Sequence, residues 1–203
     1  MPAVCMNNID MDTLFEGVYQ KLISPDFSKN LGGELPLFIQ PIPNAGQTEL
    51  NAQTERLATR LSKKGKTALI IDLYQLCMTL LEEEGVLETI LEEEPNIASE
   101  DIVSTIDSIL DMKSVVIPRI SEQIQAENPN YVLITGVGRA YPFLRSHDIL
   151  NNIDELAKEN KLILFFPGEY NNLQLSLFGI ISDENYYRGH NLDDCLSLMS
   201  VSE

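Results

Sequence analysis

The sequence predicts an α/β fold, with a mainly parallel sheet and helices on both faces. It is P-loop-like or Rossmann-like but lacks a functional Walker A phosphate loop. Three observations lead there. Short apolar runs at 131–135 and 161–166 are stopped by turn residues, Gly136 and Gly138 after the first and Pro167-Gly168 after the second. Runs of that length bounded by turns suit strands covered on both faces. Between such runs lie stretches of helical rhythm, and strand–helix alternation implies parallel crossovers. The loop after the first predicted strand, 35–39, has the position of a phosphate loop but not its residues.

The elements follow in order. Leu14, Val18 and Leu22 recur at helical spacing with Phe15 and Tyr19 beside them, which predicts an amphipathic helix over 11–23 ended by Ser24-Pro25. A polar connector at 28–34 precedes the first core strand, 35–39, and a loop at 40–46 holding Pro41, Pro43 and Gly46. A helix over 48–62 turns Leu50, Leu57 and Leu61 inward and gathers Arg56, Arg60, Lys63 and Lys64 near its end, where cations favour the dipole. The second strand is 67–72. From Leu73 to Leu91 a long helical stretch keeps a three-and-four rhythm. Ser99-Glu100-Asp101 reads as an N-cap with acids in the first turn of a helix through Ile102, Ile106 and Ile109. A further helix covers 116–126, with Pro118 in its opening turn. Then come the strand at 131, a helix over 148–159, the strand at 162, and last strands at 173–181 and 186–191. The serine-rich end, 197–203, is expected to fray.

At 203 residues and 44% hydrophobic content, 1–203 reads as a single α/β domain with a substantial core and no repeat. The net charge of −17 argues against non-specific DNA or RNA binding, whose affinity comes from cations displacing counterions at phosphates. A local basic patch of Arg56, Arg60, Lys63, Lys64 and Lys66 is all that could oppose this. A basic protein is the easier electrostatic companion, although acidity also serves plain solubility. Cys5, Cys77 and Cys195 are widely spaced and form no CxxC pair, as expected of reduced thiols. Asp10, Asp12 and Glu16 stand where a signal peptide needs a basic start and an apolar core, and no apolar run approaches a membrane span. The expectation is a soluble, cytoplasmic protein.

Candidate chemistry is thin. Pro41-x-x-x-x-Gly46-Gln47-Thr48 mimics a phosphate loop, yet Pro41 replaces the first glycine and Gln47 the lysine. Glutamine donates a hydrogen bond but neutralises no phosphate charge, and Pro41 removes an N–H from a loop that should present them. Asp72 ends a strand, where it either holds magnesium or caps the next helix; without the lysine loop, capping is the simpler role. Gly136-Val137-Gly138-Arg139 after a strand offers backbone access and a cation to an anion, or merely a turn before Tyr141-Pro142-Phe143. His147 and His190, with Asp148, Asp193, Asp194 and Cys195, show no metal-ligand spacing. No nucleophile or paired-carboxylate motif is present. We therefore expect no catalytic residue, cofactor or metal. The runs at 82–84 and 92–94, all glutamate, form either a solvated face or an acidic stripe toward a partner. Tyr186-Tyr187-Arg188-Gly189-His190 combines residue types that anchor protein interfaces, or alternates in an edge strand.

Three segments carry a resemblance. They are 133–152 (Leu-Ile-Thr-Gly-Val-Gly-Arg-Ala-Tyr-Pro-Phe-Leu-Arg-Ser-His-Asp-Ile-Leu-Asn-Asn), 165–170 (Phe-Phe-Pro-Gly-Glu-Tyr) and 185–188 (Asn-Tyr-Tyr-Arg). In that order and separation they resemble BrxB, a small component of BREX bacteriophage-exclusion systems. The match runs over most of the chain, strongest from Tyr131 onward. The resemblance implies a role in phage defence beside the phosphatase-like PglZ, the methyltransferase PglX and the ATPase BrxC, and it brings no catalytic residues. Together with the defective phosphate loop it implies a non-enzymatic adaptor, with PglZ the first partner expected. Loops at strand carboxyl ends gather in such sheets. Arg139, Tyr141, Arg145, His147, Glu169, Tyr170, Tyr186, Tyr187 and Arg188 are accordingly expected to share one polar-aromatic surface. The competing reading is a switch or enzyme that binds a nucleotide or other small ligand at the Gly136–Arg139 turn or at the loop 41–48.

Overall fold

Five parallel strands form the main sheet in the order β2 (Ala68–Asp72), β3 (Tyr131–Thr135), β4 (Lys161–Asn171), β1 (Leu37–Ile42) and β7 (His190–Asn191). The computed structural model describes residues 10–27, 35–93, 96–153, 156, 160–171, 174–182 and 189–193. The apolar runs become strands because both of their faces are covered. Phe38, Ile42, Leu133, Ile163 and Phe165 turn to one side and pack against α1 (Met11–Ile23) and α2 (Leu50–Ser62). Leu37, Ile39, Val132, Ile134, Leu162, Leu164 and Phe166 turn to the other. That side is covered by α3 (Leu73–Glu83), α5 (Ser99–Ile109), α6 (Ile117–Glu127), α7 (Val137–Ala140) and α8 (Ser146–Asn152). Alternate residues of a strand point to opposite faces, so a run apolar at every position needs two cores. The expected α/β class is what forms.

Several boundaries differ from those expected, each for a local reason. β1 begins at Leu37 and runs through Pro41 to Ile42. Pro41 is tolerated because β7 pairs with β1 only at Phe38 and Ile39, leaving that side without a ladder beyond. A 3₁₀ turn, Asn44–Thr48, takes the place of the expected start of α2. The long helical stretch divides at Gly85 (φ 68°) into α3 and α4 (Val86–Glu93), because a left-handed residue cannot continue a helix. A π turn at Met112–Val116, capped by Asp111, precedes α6, and Pro118 sits in the first turn of that helix as expected. Of the helix expected over 148–159, α8 occupies Ser146–Asn152; residues 154–155 and 157–159 lie outside the described residues.

The largest correction concerns Pro167-Gly168, expected to end a strand. β4 instead continues to Asn171, leaves the parallel sheet and pairs antiparallel with β5 (Gln174–Leu177). Gly168 makes this exchange feasible. A Cβ there would stand 2.1 Å from the Ser176 carbonyl oxygen, so only glycine lets the strands approach. The strand expected at 173–181 is accordingly β5, a turn over 178–180, and β6 (Ile181–Ser182). The strand expected at 186–191 is represented by β7; its first part and the tail at 197–203 lie outside the described residues.

α1 is tied down by charge as well as by apolar contact. Lys21 is 3% exposed; its ammonium donates to the Leu192 carbonyl and lies 3.8 Å from Asp193 Oδ1. Gln40, fully buried in β1, donates to the same Asp193 oxygen at 3.0 Å. Together they fasten residues 192–193 onto the outer side of β1. Cys77 is free and buried in the α3 packing, and burial pushes its thiol up to about 12. Cys5 and Cys195 lie outside the described residues.

Lys21→Ala removes the donor to a buried carbonyl, and stability in urea is expected to fall by about 1–3 kcal/mol. An unchanged urea midpoint would mean that this lysine does not hold the last strand.

Candidate functional site

In sheets of this kind ligands bind where neighbouring strands send their connections in opposite directions, outside the strand carboxyl ends. Here that place lies between β1, which leads away to β2, and β4, whose far neighbour across β1 is β7. The 3₁₀ turn after β1 borders it, with α7 and the β4–β5 hairpin opposite.

The turn has its N–H groups committed internally. Gly46 N–H donates to the Pro43 carbonyl at 2.9 Å and Glu49 N–H to the Gly46 carbonyl at 3.1 Å. Gly46 is buried against α1: a Cβ there would stand 2.4 Å from the Met11 sulfur. The glycine that should expose backbone to a phosphate packs on a neighbouring helix instead. The chain itself packs closely against this turn. Phe178 N–H donates to the Pro167 carbonyl at 2.8 Å, and Asn44 Nδ2 donates to the Phe178 carbonyl at 2.9 Å. A Cβ on Gly138 would lie 2.5 Å from Gln47 Oε1 and 2.9 Å from both Phe178 Cε1 and Pro167 Cγ. Glycine at 138 therefore serves close packing of α7 against Gln47 and the hairpin.

The second strand end is organised around Asp72. Its carboxylate caps α3, accepting from Tyr74 N–H at 3.1 Å and Gln75 N–H at 3.3 Å. Asn51 Nδ2 on α2 donates to it at 3.0 Å. The Arg139 guanidinium pairs with it and lies over the Tyr74 ring, 5.3 Å from the centroid. Asp72 thus takes the capping role expected of it, and Arg139 links α7 to both α2 and α3. Gly136 makes the approach feasible. It has φ 82°, and a Cβ on it would stand 2.3 Å from Asp72 Oδ1. Arg139 still exposes 43% of its side chain. Part of the side chain stays in solvent while its charge pairs with Asp72.

The nine residues expected on one surface are distributed as follows. Arg139 stands in the Asp72 cluster. Tyr141 and Arg145 are exposed on the connection from α7 to α8, where Arg145 borders a groove against α5. His147 lies in the first turn of α8. Glu169 is exposed on the hairpin, accepting from Asn171 Nδ2 at 3.2 Å. Tyr170 is 4% exposed and belongs to the core, so its ring cannot contribute to a surface. Its hydroxyl donates to the Gly189 carbonyl at 2.7 Å, and Asn191 Nδ2 donates to the Tyr170 carbonyl at 3.4 Å. Tyr170 thereby anchors residues 189–191 beside the hairpin. Tyr186, Tyr187 and Arg188 lie outside the described residues.

Sequence reasoning missed the turn between β5 and β6. Ile180 is 82% exposed and Ile181 follows it, large apolar side chains held out at the same strand ends. The glycine-bearing turn Phe178-Gly179 was the available signal, hidden because 173–181 reads as one strand. Among the described residues no group of three or more His, Cys, Asp or Glu side chains could hold a metal ion. No helix among them is long and apolar enough to cross a membrane.

The basic residues of α2 are partly spent inside the fold. Arg60 pairs with Glu16 at 2.7 Å and stacks on Tyr19, and Arg56 lies 3.6 Å from Asp12. Gln20 and Arg60, by hydrogen bonding to Glu16, hold its carboxyl below the ordinary carboxylate range. In the acidic runs Glu83 is bound through both oxygens by Arg119 of α6, which lowers its pKa, whereas Glu82, Glu84, Glu92 and Glu93 are exposed. Glu94 lies outside the described residues.

Residues 69–192 match the family model described as BREX protein BrxB. Over 173 residues, 82% of this chain and 88% of the relative, the sequence is 34% identical to BREX protein BrxB of Bacillus cereus (strain H3081.97). It is 26% identical over 176 residues to BREX protein BrxB of Escherichia coli O9:H4 (strain HS), covering 85% of this chain and 87% of that relative. No solved structure matches the chain.

Gly136→Ala is expected to destabilise more than Gly85→Ala. Both glycines have left-handed φ, which costs a side chain about 1–2 kcal/mol, but only Gly136 has an atom within reach of the new methyl group. Equal losses in urea unfolding would show that Asp72 and Tyr74 yield freely at that site.

Proposed function

The chain belongs to the BREX protein BrxB family, and from that premise we propose that it serves a BREX phage-exclusion system as a non-enzymatic adaptor. Its partners are other BREX components. PglZ is the first of them, with PglX and BrxC as further candidates, and the assembly works in the cytoplasm.

One observation carries this reading. The crevice at which a parallel sheet of this order would receive a phosphate is occupied by Gln47, Pro167 and Phe178 of the chain itself, closed around Gly138. The turn's Gly46 N–H is already bonded, and Arg139 after β3 is engaged by Asp72. A triphosphate entering there would have to displace an aromatic ring while finding no lysine to balance its charge. The strand ends do offer an outward surface. Arg139, Tyr141, Arg145, Glu169 and Ile180 are each exposed, and we take them to share it. His147, Tyr186, Tyr187 and Arg188 are assigned to it as well, and Tyr170 supports it from beneath. Exposed tyrosine and arginine beside an apolar tip are residue types that anchor interfaces.

Two measurements test the assignment. When the whole defence locus is expressed with a tagged chain, Tyr187→Ala combined with Arg188→Ala is expected to leave the fold intact and release PglZ or another component. Undiminished recovery of every component would remove this surface from the model. Thermal unfolding with ATP and magnesium is expected to be unchanged, whereas a ligand at a hundred times its dissociation constant would stabilise by about 2.7 kcal/mol. A shift of that size would favour the nucleotide-switch reading over the adaptor.

A further inference from the structure

α5 and the π turn that follows it face the connection between α7 and α8 across an open groove of about 360 Å³. Its floor is apolar. Met112 is buried there, Phe143 is half-buried and Val103 on α5 is 51% exposed, one of the most exposed large apolar side chains among the described residues. A more open depression over Val103, bordered by Glu100 and Asp107, continues it along α5.

The rim is acidic. Asp107 and Asp111 stand exposed on one wall, Asp148 is half-buried on the other, and Glu100 stands at the far end of the continuation. Against these four carboxylates the lining offers one cation, Arg145. Asp111 is fixed by Ser114, whose hydroxyl and N–H donate to it at 2.6 and 2.8 Å and hold its carboxyl below the ordinary carboxylate range. Asp107 and Glu100 are not committed to any ion pair among the described residues, so their charge is open to an incoming group.

We infer that this groove docks a basic segment of another protein that carries an aliphatic or aromatic anchor. The anchor sits on Val103, Phe143 and Met112, and lysines or arginines of the segment meet Glu100, Asp107 and Asp111. Charge selects this occupant over the others. A chain with formal charge −17 repels a second copy of itself. Nucleic acid and anionic lipid surfaces are excluded on the same ground, since both are drawn by clustered cations. An apolar floor alone would accept many segments; the acidic rim restricts them to basic ones and hastens their encounter. The groove shares Arg145 with the surface proposed above, but the inference rests on α5 and the π turn and stands whether or not Tyr187 and Arg188 hold a partner.

The test uses the full chain expressed with the whole defence locus, with a photoreactive benzoylphenylalanine at Val103 and, as a control, at Lys64 in the turn after α2. After irradiation the cross-linked peptide is identified by mass spectrometry. The expected product is a net-positive peptide with an aliphatic or aromatic residue, from another component and absent from the Lys64 control. A synthetic copy of it should bind the native chain in fluorescence polarisation and weaken about tenfold with Asp107→Lys, because repulsion replaces attraction at an exposed helix position. Val103→Glu, also exposed, should weaken binding through loss of the floor. No cross-link, an acidic or neutral peptide, a second copy of the chain, an RNA adduct, or binding indifferent to Asp107→Lys would each overturn the inference.

Discussion

The architecture depends on β4. From Leu162 to Gly168 every residue of this strand is buried, and it pairs with β3 on one side and β1 on the other before turning antiparallel to β5. Its odd and even positions enter two separate cores, with Ile163 and Phe165 facing α1 and α2 and Leu162, Leu164 and Phe166 facing the other helices. A strand buried on both faces tolerates no register slip, because it would strand side chains in the wrong core. The positions of the 3₁₀ turn, of α7 and of the hairpin are set by this one strand.

What grows from that strand explains the character of its carboxyl end. In a nucleotide-binding sheet the central strands stop and their loops open a crevice. Here β4 does not stop. Its continuation carries Pro167 and, through β5, Phe178 back over the crevice, where both close on Gly138 with Gln47. The space that would hold a ligand has become part of the packing, and the polar groups at the strand ends bond to one another. Asp72, Asn51, Tyr74 and Arg139 form a network that joins three helices without needing a guest. The surface left outside carries the exposed turn between β5 and β6 and an arginine that keeps 43% of its side chain in solvent.

Acidity is distributed unevenly over this frame. Glu16 and Glu83 work inside the molecule, each held by an arginine that binds one helix to another. Glu82, Glu84, Glu92, Glu93, Glu100 and Asp107 remain exposed on or beside α3, α4 and α5. Exposed pairs contribute little to stability, so the surplus is better understood as a field around the molecule than as a set of bonds. That field disfavours nucleic acid and favours basic partners.

The residues alone determined the class of fold, because runs such as 131–135 and 161–166 are apolar at every position and only a doubly covered strand uses both parities. They also determined that the phosphate loop lacks its cation, since Gln47 stands in place of lysine, and that Asp72 caps α3. The division at Gly85 and the 3₁₀ turn before α2 were not legible, because helical periodicity survives a single left-handed residue. Nor was the burial of Tyr170, whose fate rests on the Gly189 carbonyl nineteen residues away in the chain. Only the tertiary structure decided that Pro167-Gly168 continues a strand. A glycine signals a turn or a close approach equally well, and Ser176, the atom donor that makes it a close approach here, is identified by the packing and not by neighbours in sequence.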